Sequence, residues 1–86
     1  MTRRWDLAEV TWGDAHGSDN GWVEPDELEH GPEAMITVGM IVTDDDEGIT
    51  LCLSRHFDGT RVGGYIFIPR QNITSVKVLQ TAYIET

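Results

Sequence analysis

The sequence has one cysteine, three prolines and no long hydrophobic run. The single thiol, Cys52, excludes an intrachain disulfide framework and predicts a reducing compartment, the cytoplasm. No apolar run approaches the roughly 18 residues that span a membrane, and Met1 to Trp5 lack the apolar stretch of a signal peptide. At 86 residues the chain has room for one small domain.

Basic residues are also scarce: six Lys and Arg stand against 15 Asp and Glu, which gives a formal net charge of −9. Because general nucleic-acid binding depends on Lys and Arg at phosphates, this balance argues against direct nucleic-acid binding. Residues 1–34 hold nine acids and two bases, and residues 44–47 are four acids in a row. From Leu51 onward there are two acids and four bases, so the sequence predicts an acidic front and a mildly basic back.

Helical periodicity is missing, and period-two alternation dominates instead. A first strand is predicted at Trp5 to Trp12, followed by a long acidic loop from Gly13 to Glu33. Residues 34–43 alternate, with Ile36, Val38, Met40 and Val42 on one face. Residues 44–48 form a turn with Gly48 at its tight point, after which Ile49, Leu51 and Leu53 resume the alternation. Further strands are predicted at 62–68 and 73–80.

These elements predict an all-β fold, a small five-stranded SH3-like barrel with a long acidic first loop. A one-turn 3-10 break at residues 70–72 precedes its last strand. Closure would hide the edges that an open sheet exposes. Residues 1–80 are predicted to form the single domain, and residues 81–86 a C-terminal tail or an added strand. An OB-like barrel is the alternative, but it usually needs a helix between strands three and four, and none is indicated.

The run Ile68-Pro69-Arg70-Gln71-Asn72-Ile73, followed by Val76 and Leu79, resembles the end of SH3-like and Sm-like barrels. Over roughly residues 10–79 the chain is similar to small proteins encoded by bacteriophages and prophages. The matching residues are Trp12, Asp14, Ala15, Gly21-Trp22, Thr37 to Val42, Ile68-Pro69 and Ile73. The resemblance implies a phage origin, a place in the host cytoplasm and this fold, and it transfers no catalytic residue.

Metal binding and catalysis have weak support in the sequence. The residue types of a zinc site are present at Asp14, His16, Asp19 and His30, without an HExxH helix or paired cysteines. The four-acid turn departs from the calcium-loop pattern and predicts a solvated hairpin tip. Cys52 is interpreted as a small packing residue. The sequence therefore predicts a non-enzyme with no metal and no cofactor.

The leading functional prediction is a non-catalytic, phage-type interaction module that binds a host or phage protein with a basic surface. It would act as an inhibitor or a nucleic-acid decoy. Trp22 is its centre, because tryptophan is enriched at interface hot spots and this one lies in an acidic, Gly-flanked loop. The predicted contact residues are Asp14, Asp19, Trp22, Glu24, Asp26, Glu27 and Glu29. An alternative for Trp22 is that it folds back and plugs an open end of the barrel.

Three other functions stay open. The first is a sponge that sequesters a host nucleotide signal, with Arg55, Arg61, Tyr65 and Arg70 as its ligand-binding residues. The second is a metal-assisted hydrolase built on His16 and His30. The third is a homo-oligomer whose subunits pair through their edge strands.

Overall fold

The computed structural model describes residues 2–14, 22, 24–27 and 31–85. Within these residues the chain forms five strands: β1 (Thr2–Asp14), β2 (Glu33–Asp44), β3 (Gly48–Arg55), β4 (Val62–Pro69) and β5 (Ile73–Glu85). Two 3-10 turns lie at Pro25–Glu27 and Arg70–Asn72. The predicted all-β fold and the one-turn break before the last strand are therefore confirmed. No helix in the described part of the chain is long and apolar enough to cross a membrane.

The strands form one antiparallel sheet in the order β4-β3-β2-β1-β5. Closure into the predicted barrel would require pairing between β4 and β5, and the described sheet contains none. The barrel is therefore not confirmed, and the observed sheet is open. β1 and β5 are both longer than predicted, because residues 81–85 continue β5 and pair with residues 2–6 of β1.

The main hydrophobic cluster lies on one face of this sheet. It is a cluster of buried apolar side chains with Met35, Ile41 and Ile73 packed against it, and its members are Val10, Trp12, Ile49, Leu51 and Ile68. The indole nitrogen of Trp12 donates a hydrogen bond to the Thr37 hydroxyl at 2.9 Å, so the ring's one polar atom is satisfied. Each fully buried side chain of this size contributes about 1.5–3 kcal/mol.

The alternation predicted for β2 is present, but Ile36 and Val38 are exposed rather than buried. The register explains this, because Trp12 pairs with Met35 and Val10 with Thr37. Directly paired residues share a face of the sheet, so Met35 and not Ile36 lies on the core side. Only glycine fits at position 39 without a shift, since a Cβ there would lie 3.0 Å from the Cys52 carbonyl oxygen.

The β2–β3 turn is exposed at residues 44–47, as predicted for a solvated tip. The Asp45 carboxylate accepts hydrogen bonds from the backbone nitrogens of Glu47 and Gly48, at 2.9 and 3.3 Å. Asp45 and Gly48 also exchange backbone hydrogen bonds of 3.1 and 3.2 Å. The turn is thus closed by its own residues, an arrangement typical of Asp at the start of a turn.

Candidate functional site

Trp22 is fully exposed, and three neighbouring acids of the predicted contact surface are exposed as well: Glu24, Asp26 and Glu27. The 3-10 turn at Pro25–Glu27 presents these acids and is closed by a hydrogen bond from the Glu27 nitrogen to the Glu24 oxygen at 2.9 Å. We call residues 22 and 24–27 the acidic tryptophan segment. Trp22 does not fold back as a plug. It stands in solvent within five residues of three carboxylates.

The other three residues of the predicted contact surface are Asp14, Asp19 and Glu29, and the structure describes only the first of them. Asp14 is half-buried at the end of β1, where it pairs with Glu33. It lines a cleft of about 370 Å³ with Pro32 and Asn72, and the Asn72 amide donates to the Gly13 carbonyl at 3.0 Å. Asp19 and Glu29 lie outside the described residues, as do His16 and His30 of the hydrolase alternative. Within the described ranges there is no group of three or more metal-binding side chains.

Two of the predicted ligand-binding arginines come together at the end of the β3–β4 hairpin. Arg55 and Arg61 line an open cleft of about 390 Å³, together with Ser54, His56, Val62 and Gly63. We call it the arginine cleft. The hairpin's own pairing creates it, because the His56 nitrogen donates to the Arg61 carbonyl at 2.9 Å and brings the two arginines to either side of the turn. Tyr65 is exposed on β4 and is not among the lining residues.

Arg70 does not line this cleft, because its side chain binds the β2–β3 turn. Its guanidinium is ion-paired with the Asp44 carboxylate and donates to the Asp45 carbonyl at 2.6 Å. Its backbone nitrogen donates to the Glu47 carbonyl at 3.0 Å. The residue therefore fastens the turn to the start of the second 3-10 turn, and the structure does not bring it together with Arg55 and Arg61.

Arg55 is held in place by a contact that sequence reasoning missed. Its guanidinium carbon lies 5.2 Å from the centre of the Trp5 ring, and that of Arg3 lies 4.5 Å from it. Trp5 is buried, and Gly59 of the hairpin tip also lies close to the ring, where a Cβ would stand 3.4 Å from it. Trp5 and Arg55 are about fifty positions apart in the sequence, so no local pattern could have indicated the contact.

The hydrogen bonding of Arg55 leaves part of its guanidinium unused. One terminal nitrogen donates to the carbonyls of His56 and Phe57, at 3.2 and 3.0 Å. The buried Nε atom has no hydrogen-bond partner among the described residues. A buried donor without a partner is uncommon in folded proteins, because leaving it unpaired costs about 1–3 kcal/mol. Because this Nε atom is buried, an anion in the cleft would meet the positive charge of the guanidinium and not this donor.

Four titratable groups of the described residues have clearly shifted pKa values, and one of them is Arg4, whose pKa is raised by its hydrogen bond to Asp6. The hydrogen bond from Arg4, 2.8 Å long, holds the pKa of the Asp6 carboxyl below its usual value. Hydrogen bonds from the hydroxyl and backbone nitrogen of Thr60 lower the pKa of Asp58 at the hairpin tip. Burial raises the pKa of the Cys52 thiol, although the charges of Arg55 and Arg3 oppose it. The thiol is thus protonated at neutral pH, which fits its predicted role as a packing residue.

Comparisons of the chain with protein-family models, with curated proteins and with solved structures gave no match. The resemblance to phage and prophage proteins therefore stays a prediction.

Proposed function

We propose that the protein is a non-catalytic interaction module, and that the acidic tryptophan segment is its contact surface for a host or phage protein in the host cytoplasm. The observation that supports this proposal is the complete exposure of Trp22. A tryptophan buries roughly 150–250 Å² when it is covered, and such side chains are the commonest anchors of protein interfaces. An anchor of this kind fits an apolar pocket on the partner.

The charge of the segment defines the rest of the partner's surface. Glu24, Asp26 and Glu27 are exposed beside the indole, in a chain of net charge −9. Long-range attraction from such a surface accelerates association with a basic partner and weakens as salt screens it. If the partner normally holds nucleic acid, these carboxylates replace phosphates and the module acts as a decoy.

We expect Trp22→Ala to reduce capture of a stoichiometric partner from bacterial host lysate by at least about tenfold, since hot-spot truncation costs about 2 kcal/mol or more. The matched control is Phe57→Ala. Phe57 is 95% exposed at the β3–β4 turn, so its loss removes a similar aromatic surface away from the segment. Capture is quantified by native mass spectrometry at low and high salt.

Two results would contradict this proposal. One is equal capture by wild type and Trp22→Ala. The other is capture that does not change with salt or with the triple change Glu24→Gln, Asp26→Asn and Glu27→Gln, which would remove its electrostatic part.

The arginine cleft supports a second candidate, the binding of an anionic small molecule such as a nucleotide. Arg55, His56 and Arg61 line one cleft, so two guanidinium groups lie beside it. Guanidinium groups suit this task because they bind phosphate with paired hydrogen bonds. Arg61 contributes its carbonyl to the hairpin through the backbone alone, so truncation of its side chain leaves that hydrogen bond intact.

For this candidate we expect a nucleotide panel to raise the melting temperature of the wild type, and Arg61→Ala to abolish the rise. Lys77→Ala is the control, because it removes one positive charge from β5, outside the cleft. A panel without any stabilising nucleotide, or an unchanged rise in Arg61→Ala, would exclude the cleft as a nucleotide site.

A further inference from the structure

The arginines of the chain fall into two groups, those that are paired with a carboxylate and those that are not. Arg4 is ion-paired with Asp6, and Arg70 with Asp44. The other arginines form no ion pair with any described residue, and they are Arg3, Arg55 and Arg61. In a chain with 15 Asp and Glu against six Lys and Arg, unpaired arginines are the opposite of what the charge balance favours.

Two of the unpaired arginines lie against the same aromatic ring. The guanidinium carbons of Arg3 and Arg55 lie 4.5 and 5.2 Å from the centre of the buried Trp5 ring. Both distances are measured from one point, so the two carbons are separated by no more than the sum of 4.5 and 5.2 Å. Burial raises the pKa of the Cys52 thiol and the charges of both arginines oppose it, so both also act on one buried atom. The two arginines are therefore neighbours, although they lie far apart in the sequence.

Uncharged groups hold both of these side chains in place. Arg3 lies two positions before Trp5 on β1, so the two side chains share a face of the strand. Its guanidinium donates to the Val42 carbonyl at 2.7 Å. Arg55 donates to two carbonyls of the β3–β4 turn, at 3.2 and 3.0 Å. Carbonyl oxygens and an indole ring orient a guanidinium without neutralising it, so both positive charges remain available to an anion.

Arg61 joins this group through the arginine cleft, which it lines together with Arg55. The one carboxylate of the intervening turn does not compete for either side chain. Asp58 instead accepts hydrogen bonds from the hydroxyl and the backbone nitrogen of Thr60, at 2.7 and 3.0 Å. Arg55 is therefore a neighbour of both Arg3 and Arg61.

We propose that the three unpaired arginines together bind one oligophosphate, a small molecule with two or more phosphate groups such as a nucleoside diphosphate or triphosphate. This site rests on the second candidate function, because it contains the arginine cleft, and it adds Arg3 and the class of the ligand. Charge indicates that class. A phosphate monoester carries about 1.5–2 negative charges, so three guanidinium groups match more than one phosphate.

The chemistry of the arginine side chain favours phosphate in the same way. A guanidinium stays charged at every physiological pH and binds phosphate oxygens with paired hydrogen bonds. Arg55 is half-buried, and a charge that is partly removed from water is unfavourable until an opposite charge reaches it. Arg3 and Arg61 are exposed on either side of it and can receive the outer phosphates of a longer ligand.

The test is isothermal titration calorimetry of the purified protein with inorganic phosphate, pyrophosphate and tripolyphosphate. We expect wild type to bind tripolyphosphate at least about tenfold more tightly than phosphate, because each further phosphate adds charge-assisted hydrogen bonds. Arg3→Gln is expected to weaken tripolyphosphate binding about tenfold and phosphate binding less than about twofold, because a single phosphate needs only the cleft. Arg61→Ala should weaken the binding of both probes.

Two control variants separate a specific site from general attraction. Lys77→Gln removes an equal charge from β5, outside the cleft, and should leave all three affinities unchanged. Arg3→Lys keeps the charge at position 3 and should retain most of the affinity for tripolyphosphate. Far-UV circular dichroism checks that each variant keeps its sheet, and the comparison of the three probes on wild type is decisive even if a variant fails to fold.

Four results would overturn the proposed oligophosphate site. If wild type binds phosphate as tightly as tripolyphosphate, or if Arg3→Gln binds tripolyphosphate like wild type, the cleft alone remains as a smaller anion site. If no probe binds wild type, the second candidate function fails as well. If Lys77→Gln loses as much affinity as Arg3→Gln, the attraction is general. If a hexaglutamate peptide binds as tightly as tripolyphosphate, the arginines accept the carboxylates of a protein partner and do not select phosphate.

Discussion

Gly48→Ala is expected to lower the free energy of unfolding by more than about 2 kcal/mol, enough to bring a chain of this size close to unfolding. Gly48 has a φ of 156°, a backbone conformation that residues with a Cβ rarely adopt. An added Cβ would overlap the Ile68 carbonyl oxygen and lie 2.9 Å from the Phe67 ring. Those neighbours belong to β4, so the β3–β4 pairing itself would have to shift.

The matched control for this substitution is Gly63→Ala. Gly63 lies on β4 with no positive φ, and a Cβ there would meet nothing within 4 Å. Its replacement is expected to leave stability unchanged or to raise it by about 0.4–1 kcal/mol, because alanine restricts the unfolded chain. Urea denaturation followed by tryptophan fluorescence measures both variants. Similar stabilities for the two would show that the turn at Gly48 accommodates a side chain.

The sequence predicted the strands where local chemistry decides them. Gly48 follows four acids and precedes renewed alternation, so the hairpin was visible from turn chemistry and period alone. Pro69 ends β4 because it cannot donate a hydrogen bond into the sheet. The one-turn break at residues 70–72 follows from the same local signals.

The sequence did not predict the features that depend on pairing between strands distant in the chain. The choice between the two faces of β2 depends on its register with Trp12, and both faces of that strand carry apolar residues. The extension of β5 depends on pairing of residues 81–85 with the start of β1, which their own composition does not require. Closure of the sheet was expected because exposed edges are unfavourable, and the described sheet leaves its two outer strands unpaired.

The candidate sites also contain features that the local sequence indicates and features that depend on long-range contacts. The sequence placed Trp22 in an acidic, Gly-flanked loop but left open whether the side chain is exposed or plugs the barrel, and the structure shows it exposed. Sequence reasoning grouped Arg70 with Arg55 and Arg61 on charge alone. Its ion pair with Asp44 was not visible, because the two residues are brought together only by the folded turn.

Leu51→Ala is expected to lower the free energy of unfolding by about 2–5 kcal/mol, the range for truncating a buried leucine. Leu51 is 1% exposed and belongs to the cluster formed by Val10, Trp12, Ile49 and Ile68. The change removes three carbon atoms from a small core and leaves a cavity that two rigid strands cannot fill. A chain of 86 residues has a total stability of about 5 kcal/mol, so a loss at the upper end of that range would leave much of the variant unfolded at room temperature.

Leu53→Ala is the control for this prediction, since Leu53 lies two positions along the same strand and is 76% exposed. Its truncation should change stability by less than about 0.5 kcal/mol, the usual range for surface positions. Both variants are measured by urea denaturation at several protein concentrations, because association raises apparent stability as concentration increases. Equal losses in the two variants would contradict the assignment of Leu51, and not Leu53, to the buried cluster. If the loss in Leu53→Ala varies with concentration, Leu53 contributes to a contact between copies, because a purely intrachain effect is independent of concentration.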